Sequence, residues 1–218
     1  MCFDLDGVLI DTMPFHAEAW RQALASLGVR VPIRDIYAWE GESGAVTVRT
    51  LAARSGRRRL SDAAIRRILH DKERRFRTLA RNVRVHPMLA RLLRRLSQRG
   101  VRLALVTGTS SGEVRRVVPR QIRASFDAIV TGDRVAHGKP HPEPYRTALR
   151  RLRVHPRHAL VVENAPYGIR SARRAGVGFV VALASSLPPR YLREAHRIVS
   201  SVKRLCAVIE PLAIDRDV

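Results

Sequence analysis

Cysteine and aromatic residues are scarce in this sequence of 218 residues. The two cysteines, Cys2 and Cys206, are far apart and have no C-x-x-C spacing. We therefore expect neither a disulfide framework nor a zinc site, and we interpret both thiols as reduced. Aromatic side chains make up only 5% of the residues, which leaves few surfaces on which the bases of a single-stranded nucleic acid could stack.

Long apolar runs are also lacking. The longest, residues 177–184, is far shorter than the roughly 20 residues that a membrane-spanning helix needs. The first residues do not have the charged and then apolar layout of a signal peptide. We therefore predict a cytoplasmic protein with no membrane partner.

Acidic residues are strongly outnumbered, since 41 Lys and Arg face 19 Asp and Glu and the net charge is +22. A charge of this size makes nucleic acid an alternative partner. However, the arginines are spread along predicted helices and do not form one basic arm, so we interpret most of them as a solvated surface. In either case the charge attracts small anionic, phosphorylated substrates.

Short apolar runs alternate with helical patterns in the second part of the chain. The runs predict buried strands at residues 102–107, 127–131, 158–162 and 178–182. The amphipathic patterns predict helices at residues 88–96, 142–152 and 166–175. This alternation is typical of an α/β fold, a Rossmann-like parallel sheet with helices on both faces.

Residues 14–83 break this alternation, because they contain only helical patterns, at residues 15–27, 45–54 and 60–79. The region follows directly after the first strand. We interpret it as a small inserted helical cap domain whose flanks form hinges. The core domain then consists of residues 1–13 and 84–218.

Polar side chains follow each predicted strand. Ligands of an open parallel sheet bind beyond the carboxyl ends of its strands, so these positions form the candidate site. They are occupied by Asp4, Asp6, Gly7, Thr107, Gly108, Lys139, Glu163 and Asn164. Two carboxylates only two residues apart repel each other unless a cation lies beside them. Mg²⁺ suits this place, because it prefers oxygen ligands and binds carboxylates together with phosphate and water.

Four segments resemble the motifs of a known superfamily. They are FDLDGVLIDT at residues 3–12, VTG at 106–108, GKP at 138–140 and VVENAPYGI at 161–169. In this order they resemble the four motifs of the haloacid dehalogenase (HAD) superfamily, and the resemblance covers almost the whole chain. A D-x-D-G alone would be a weak signal, whereas four ordered motifs at predicted strand ends are specific. Residues 14–83 are similar to the helical cap of the subfamily that includes β-phosphoglucomutase and phosphoglycolate phosphatase.

The resemblance implies covalent catalysis with Mg²⁺ as the cofactor. Asp4 attacks phosphorus to give an aspartyl phosphate, while Asp6 acts first as the acid and then as the base. Mg²⁺ is bound by Asp4, by the backbone carbonyl of Asp6 and by Asn164, and Glu163 is a further candidate ligand. The other candidates are Thr107 and Lys139 in catalysis, and Gly7, Gly108, Thr109, His16 and Glu40 in substrate binding. An aspartate at position 6 favours a phosphatase or a mutase over a dehalogenase.

Some positions depart from the family pattern or leave two interpretations open. Many relatives have Asp where this chain has Asn164, which removes one negative charge. His16 either assists acid/base chemistry or is a structural histidine. Gly44 stands where β-phosphoglucomutase has a phosphate-binding arginine, which argues against a mutase. Glu40 resembles a cap glutamate of HAD inorganic pyrophosphatases.

These observations predict a phosphoric monoester hydrolase that acts on a small phosphorylated metabolite, with inorganic pyrophosphate as a further candidate substrate. The alternatives are a β-phosphoglucomutase-like mutase and a catalytically idle basic module that binds nucleic acid or protein. The oligomeric state stays open, with a monomer favoured. The histidines without metal-ligand spacing are interpreted as surface or loop residues: His86, His137, His141, His155, His158 and His196.

Overall fold

The computed structural model of the protein describes residues 1–39, 44–56 and 59–212. Its strands are β1 Cys2–Phe3, β2 Ala104–Val106, β3 Ala128–Val130, β4 Leu160–Glu163, β5 Phe179–Leu183 and β6 Arg197–Val199. Its α-helices are α1 Met13–Ala25, α2 Ile33–Ala38, α3 Gly44–Arg54, α4 Asp62–Leu79, α5 Pro87–Gln98, α6 Ser111–Val117, α7 Arg120–Arg123, α8 Glu143–Leu152, α9 Pro166–Arg174 and α10 Val202–Leu212. None of these helices is long and apolar enough to cross a membrane.

The strands form one parallel sheet in the order β3-β2-β1-β4-β5-β6. β1 is only two residues long, and it is held in the middle of the sheet because β2 and β4 pair with it from both sides. The chain winds toward β3 on one side of β1 and toward β6 on the other, so β1 marks the point where ligands of such sheets bind. The predicted α/β fold is confirmed.

The apolar core lies on both faces of the sheet, because alternate strand residues point to opposite sides. Phe3 and Leu105 belong to the cluster that α5, α6 and α10 cover. Cys2 and Ala104 belong to the cluster that α8 and α9 cover. Each fully buried leucine in these clusters contributes on the order of 2 kcal/mol, so the sheet is a rigid base for the loops at its edge.

Helices α1 to α4 pack on one another around a separate apolar cluster that includes Trp20 and Leu51. The chain segments that enter and leave these helices are joined, since Ile10 forms an antiparallel bridge with Val85. This bridge places α1 directly above the end of β1. The cap boundaries at residues 14 and 83 stay a prediction, because a hinge is defined by motion and not by one conformation.

Candidate active site

The carboxyl ends of β1 and β4 bring two polar loops together in the middle of the sheet. The amide of Asp4 donates to the carbonyl of Val162 at 3.0 Å, which extends the pairing of β1 by one residue. Gly7 has a φ of 80°, and a Cβ atom there would lie 2.0 Å from Nδ2 of Asn164. Glycine at this position therefore permits both the turn and the close approach of the two loops.

Lys139 lies between two buried carboxylates. Its Nζ donates to Oδ1 of Asp4 at 2.6 Å and to Oε1 of Glu163 at 2.5 Å, and also to the carbonyl of Val106 at 3.2 Å. Burial alone opposes the charged form, but the charges of Asp4 and Glu163 outweigh it and raise the pKa of Lys139 above its ordinary value. The ammonium group therefore stays protonated and fixes the position of the Asp4 carboxylate.

Negative charge exceeds positive charge around Asp4. Burial raises the pKa of Asp4 well above its ordinary value; the Lys139 charge opposes this effect, while the carboxylates of Glu163 and Asp6 add to it. The ammonium group of Lys139 thus contacts two carboxyl groups, while a third, that of Asp6, also acts on Asp4, and all three are nearly inaccessible to solvent. A second cation beside Asp4 would relieve this imbalance.

Both carboxylate oxygens of Glu163 are already engaged by hydrogen-bond donors. Oε1 accepts from Lys139 and from the hydroxyl of Tyr145 at 2.6 Å. Oε2 accepts from the amides of Asn164 at 3.0 Å and of Ala165 at 3.4 Å. The geometry therefore disfavours the predicted role of Glu163 as a metal ligand, because its lone pairs are directed at these donors. Glu163 instead positions Lys139 and the loop after β4.

Asn164 is a buried polar side chain without a partner. Its exposure is 1%, and neither Oδ1 nor Nδ2 has a hydrogen-bond partner among the described residues. A buried amide in this state costs about 1–3 kcal/mol, so such groups are rare. Mg²⁺ accepts carboxylate, carbonyl and amide oxygens as ligands. The residues present fit that ion, with the carboxylate of Asp4, the backbone carbonyl of Asp6 and the amide of Asn164 as donors.

Asp6 accepts hydrogen bonds on both of its oxygens. Thr12 donates to Oδ1 at 2.6 Å, and Thr109 donates to Oδ2 at 2.7 Å, with Thr107 more distant at 3.4 Å. Burial opposes ionisation, but the contact with His16 and the hydrogen bonds from Thr12 and Thr109 outweigh it and lower the pKa of Asp6 below its ordinary value. In this conformation Asp6 is a carboxylate, which is the protonation state of a base.

His16 connects Asp6 to a buried lysine. Its Nε2 lies 3.2 Å from Oδ1 of Asp6, and its Nδ1 lies 3.1 Å from Nζ of Lys72. An ammonium group can only donate, so Nδ1 accepts and Nε2 carries the proton that His16 donates to Asp6. The imidazole ring stacks on Phe76 with a centroid distance of 3.9 Å, which fixes its orientation. The contacts favour a role of His16 in the site over a purely structural one.

A cavity of about 250 Å³ opens between the sheet edge and the helices above it. Its walls combine the rings of Trp20 and Trp39 with one cation, Lys72, and one anion, Glu73. Gly108 and Thr109 contribute its floor. Gly44 lines the same cavity, so this wall lacks the arginine of β-phosphoglucomutase. Glu40, the predicted cap contact, lies outside the described residues.

Comparison with known proteins identifies the family. The model of the haloacid dehalogenase-like hydrolase family matches residues 1–176. Protein CbbY from Cereibacter sphaeroides is 34% identical over 93% of this chain and 92% of its own length. This chain belongs to the haloacid dehalogenase-like hydrolase family.

Two further relatives resemble this hydrolase over most of its length. Phosphorylated carbohydrates phosphatase from Thermotoga maritima is 30% identical over 85% of each chain. The crystal structure of a CbbY mutant from Rhodobacter sphaeroides in complex with xylulose-(1,5)bisphosphate is 30% identical, covers 92% of each chain and has a TM-score of 0.73.

Two residues of this hydrolase's site were not predicted. Lys72 lies in a run of charged residues, whose pattern indicates a solvated helix face, and Tyr145 has the spacing of an ordinary core position in α8. Both reach the site only because their helices pack next to it. Thr12 precedes α1 but makes no side-chain capping hydrogen bond, since its hydroxyl donates to Asp6.

Proposed function

We propose that this hydrolase is a Mg²⁺-dependent phosphatase that transfers the phosphoryl group of a small phosphorylated metabolite to Asp4 and then to water. The observation that carries the proposal is the pairing of Asp4 with the buried ammonium of Lys139 beside the unpartnered amide of Asn164. Bound Mg²⁺ would supply charge neutralisation for the phosphoryl oxygens.

The reaction has two steps in this proposal. Asp6 is a carboxylate in the conformation described above, so it first takes up a proton from solvent. A carboxylate oxygen of Asp4 then forms a bond to phosphorus, the bond from phosphorus to the leaving oxygen breaks, and that oxygen takes the proton from Asp6. Water then attacks the aspartyl phosphate and gives its proton to Asp6, so that phosphate leaves and Asp4 is restored. Thr107 and the amide of Gly108 donate to the phosphoryl oxygens.

An organic phosphate suits the cavity better than pyrophosphate does. The rings of Trp20 and Trp39 offer apolar surface to a carbon skeleton. A second phosphate would find Lys72 as the one cation among the described residues that line the cavity, and it would face Glu73. The phosphatase of phosphorylated carbohydrates and the bound xylulose-(1,5)bisphosphate of the two relatives support a sugar or polyol phosphate. Pyrophosphate stays the alternative substrate, because that prediction depends on Glu40.

Phosphate release by the purified full chain tests the proposal. The substrates are sugar phosphates, phosphoglycolate, pyrophosphate and an aryl phosphate, each with Mg²⁺ and with EDTA. We expect turnover that needs Mg²⁺, is lost in Asp4→Asn and persists in Asp11→Asn, which removes an exposed carboxylate from the same segment. Acid-quenched single turnovers with labelled substrate should leave the label on wild-type protein and not on Asp4→Asn.

Two outcomes would overturn the proposal. Equal turnover of wild type and Asp4→Asn would show that Asp4 is not the nucleophile. Absence of turnover on every substrate, together with polynucleotide binding that Asp4→Asn leaves intact and that falls steeply with salt, would favour the idle basic module.

A further inference from the structure

Two histidines and a glutamate converge on the surface loop that carries Lys139. Among the described residues, His137, His141 and Glu143 are the one group of His, Cys, Asp or Glu side chains whose potential ligand atoms all lie within 4.8 Å of one another. The loop turns back on itself, since the amide of His141 donates to the carbonyl of Gly138 at 3.0 Å. Both histidines are exposed loop residues, as predicted, and they lie close together in that loop.

The distances within this group suit a transition metal. Oε2 of Glu143 lies 2.9 Å from Nδ1 of His137 and 3.9 Å from Nδ1 of His141. Ligand atoms of a tetrahedral zinc site, with bonds of about 2.0–2.2 Å, are about 3.3 Å apart. The observed distances lie on either side of this value. Both imidazole rings are well exposed. Nδ1 of His141 accepts from the amide of Glu143 at 3.2 Å, so closing the site requires a rotation of this ring that exchanges that hydrogen bond for the metal.

The carboxylate of this group is already oriented by the backbone. Its Oε1 accepts from the amide of Ala136 at 2.8 Å and its Oε2 from the amide of His137 at 3.0 Å. Each oxygen thus has one backbone donor and keeps a lone pair for a metal, whereas each oxygen of Glu163 has two donors. The loop itself is tied to α9, because the hydroxyl of Ser171 donates to the carbonyl of His141 at 2.6 Å. Contacts of this kind fix a ligating carboxylate and reduce the entropy that is lost when the metal binds.

We infer that His137, His141 and Glu143 bind a divalent transition metal ion of the Zn²⁺ type, at a second site separate from the magnesium site. Two imidazoles and one carboxylate suit Zn²⁺, whereas the all-oxygen donor set around Asp4 suits Mg²⁺. Three protein ligands leave a fourth position for water. The bound ion ties the segment of Lys139 to the start of α8 and restrains the residue that holds Asp4.

Zn²⁺ binding to the full chain, measured by competition with a chromophoric chelator in excess Mg²⁺, tests this inference without any turnover. We expect one tightly bound Zn²⁺ in wild type and its loss in the double variant H137A/H141A. The matched control is H155A/H158A, which removes another exposed histidine pair, with rings 6.0 Å apart. Among the described residues this pair belongs to no group of three potential metal ligands. This control should bind Zn²⁺ as wild type does.

Two further measurements keep the outcome unambiguous. Asp4→Asn should retain the Zn²⁺ ion, so the result stands or falls independently of the phosphatase proposal. His141→Gln, which removes one ligand and keeps a polar side chain, should weaken binding at least about tenfold. Zn²⁺ should also slow amide exchange of residues 136–143 in wild type and not in H137A/H141A. Equal Zn²⁺ binding by wild type and H137A/H141A, or loss of binding in Asp4→Asn or in H155A/H158A, would overturn the inference.

Discussion

Asp6 is a buried carboxylate that accepts hydrogen bonds from Thr12, Thr109 and His16. Its pKa is lower in the folded chain than in the unfolded one. The ionised group therefore stabilises the native state above the unfolded pKa of about 3.9, and this contribution is lost as the pH falls toward the folded pKa. We predict that the difference in unfolding free energy between wild type and Asp6→Asn falls by about 1 kcal/mol between roughly pH 6 and pH 3.

Denaturant unfolding at the two pH values measures this difference. The exposed Asp11→Asn variant is the control and should follow wild type at both pH values. A wild-type to Asp6→Asn difference that does not change with pH would contradict a lowered pKa of Asp6.

Substitution of Glu163 can distinguish a positioning residue from a metal ligand, because the first role predicts a loss of stability and the second a loss of Mg²⁺ affinity. Glu163→Gln leaves Lys139 with one carboxylate and turns an amide NH₂ group toward backbone donors, so we predict a loss of about 3 kcal/mol in stability. Half-saturation by Mg²⁺ should change less than about tenfold, because no ligand is removed. Glu113→Gln removes a buried carboxylate that is paired with Arg116 in α6. It is the control for the effect on stability of losing a buried, paired carboxylate outside the site. Retained stability with lost Mg²⁺ affinity would restore the metal-ligand interpretation.

Lys72 contacts His16, which in turn contacts Asp6, so we expect the removal of the Lys72 ammonium group to lower turnover. Lys72→Met keeps the volume beside Trp20 and Phe76 but removes the donor to His16. We predict that kcat/KM falls by about tenfold or more with little change in unfolding free energy. Lys203→Met, at an exposed position of α10, is the matched control. Steady-state kinetics with the best substrate gives the answer, and equal kcat/KM in the two variants would assign Lys72 to packing alone.

At the scale of elements, substitution of two helical glycines by alanine should change the stability in opposite directions. A Cβ atom on Gly168 of α9 would lie 1.9 Å from Oε1 of Glu163, whereas one on Gly112 of α6 meets nothing within 4 Å. Gly168→Ala should therefore cost about 1–3 kcal/mol by overpacking and disturb the contact with Lys139. Gly112→Ala should stabilise by about 0.5–1 kcal/mol through helix propensity. Thermal unfolding compares the pair, and a stable, active Gly168→Ala would show that α9 can move away from β4.

Most of the elements that the sequence predicts are long enough to show a repeating pattern of apolar residues. β2 to β5 overlap the predicted runs, because each is apolar and largely buried and ends at polar residues. β6 was not predicted, since it exposes Arg197 and buries only Val199 fully. α7 is a single turn after Pro119, too short for a helical pattern. α10 was not predicted either, although it shows apolar spacing at Leu205 and Ile209.

In the site, the residues placed by the topology of the sheet could be predicted, whereas those placed by helix packing could not. Asp4 and Thr107 follow strands directly, and Lys139 lies in the loop after β3, so their convergence follows from the topology of a parallel sheet. Lys72 and Tyr145 depend on how α4 and α8 pack, which local patterns do not encode. The role of Glu163 depends on which donors reach it, and those donors come from three separate segments of the chain.

At the scale of the whole molecule, the net charge of +22 creates a field that acts on anions before they reach the cavity. Such a field raises the rate of association of an anionic substrate and leaves the chemical step unchanged. Salt screens it over a Debye length of about 8–10 Å at physiological ionic strength, whereas the buried contacts of Asp4 and Lys139 are screened much less. Association and chemistry should therefore respond differently to salt.

We predict that kcat/KM for a sugar phosphate falls several-fold when the salt concentration rises from about 20 to 300 mM, while kcat changes less than about twofold. Steady-state kinetics in sodium chloride and in tetramethylammonium chloride at equal ionic strength separates screening from the binding of a particular cation, because screening depends only on ionic strength. A parallel fall of kcat and kcat/KM would place the effect of salt on the site itself. Constant kcat/KM would show that the basic surface does not steer the substrate. The positive charge would then serve to bind another anionic partner, and polynucleotide is the first to test.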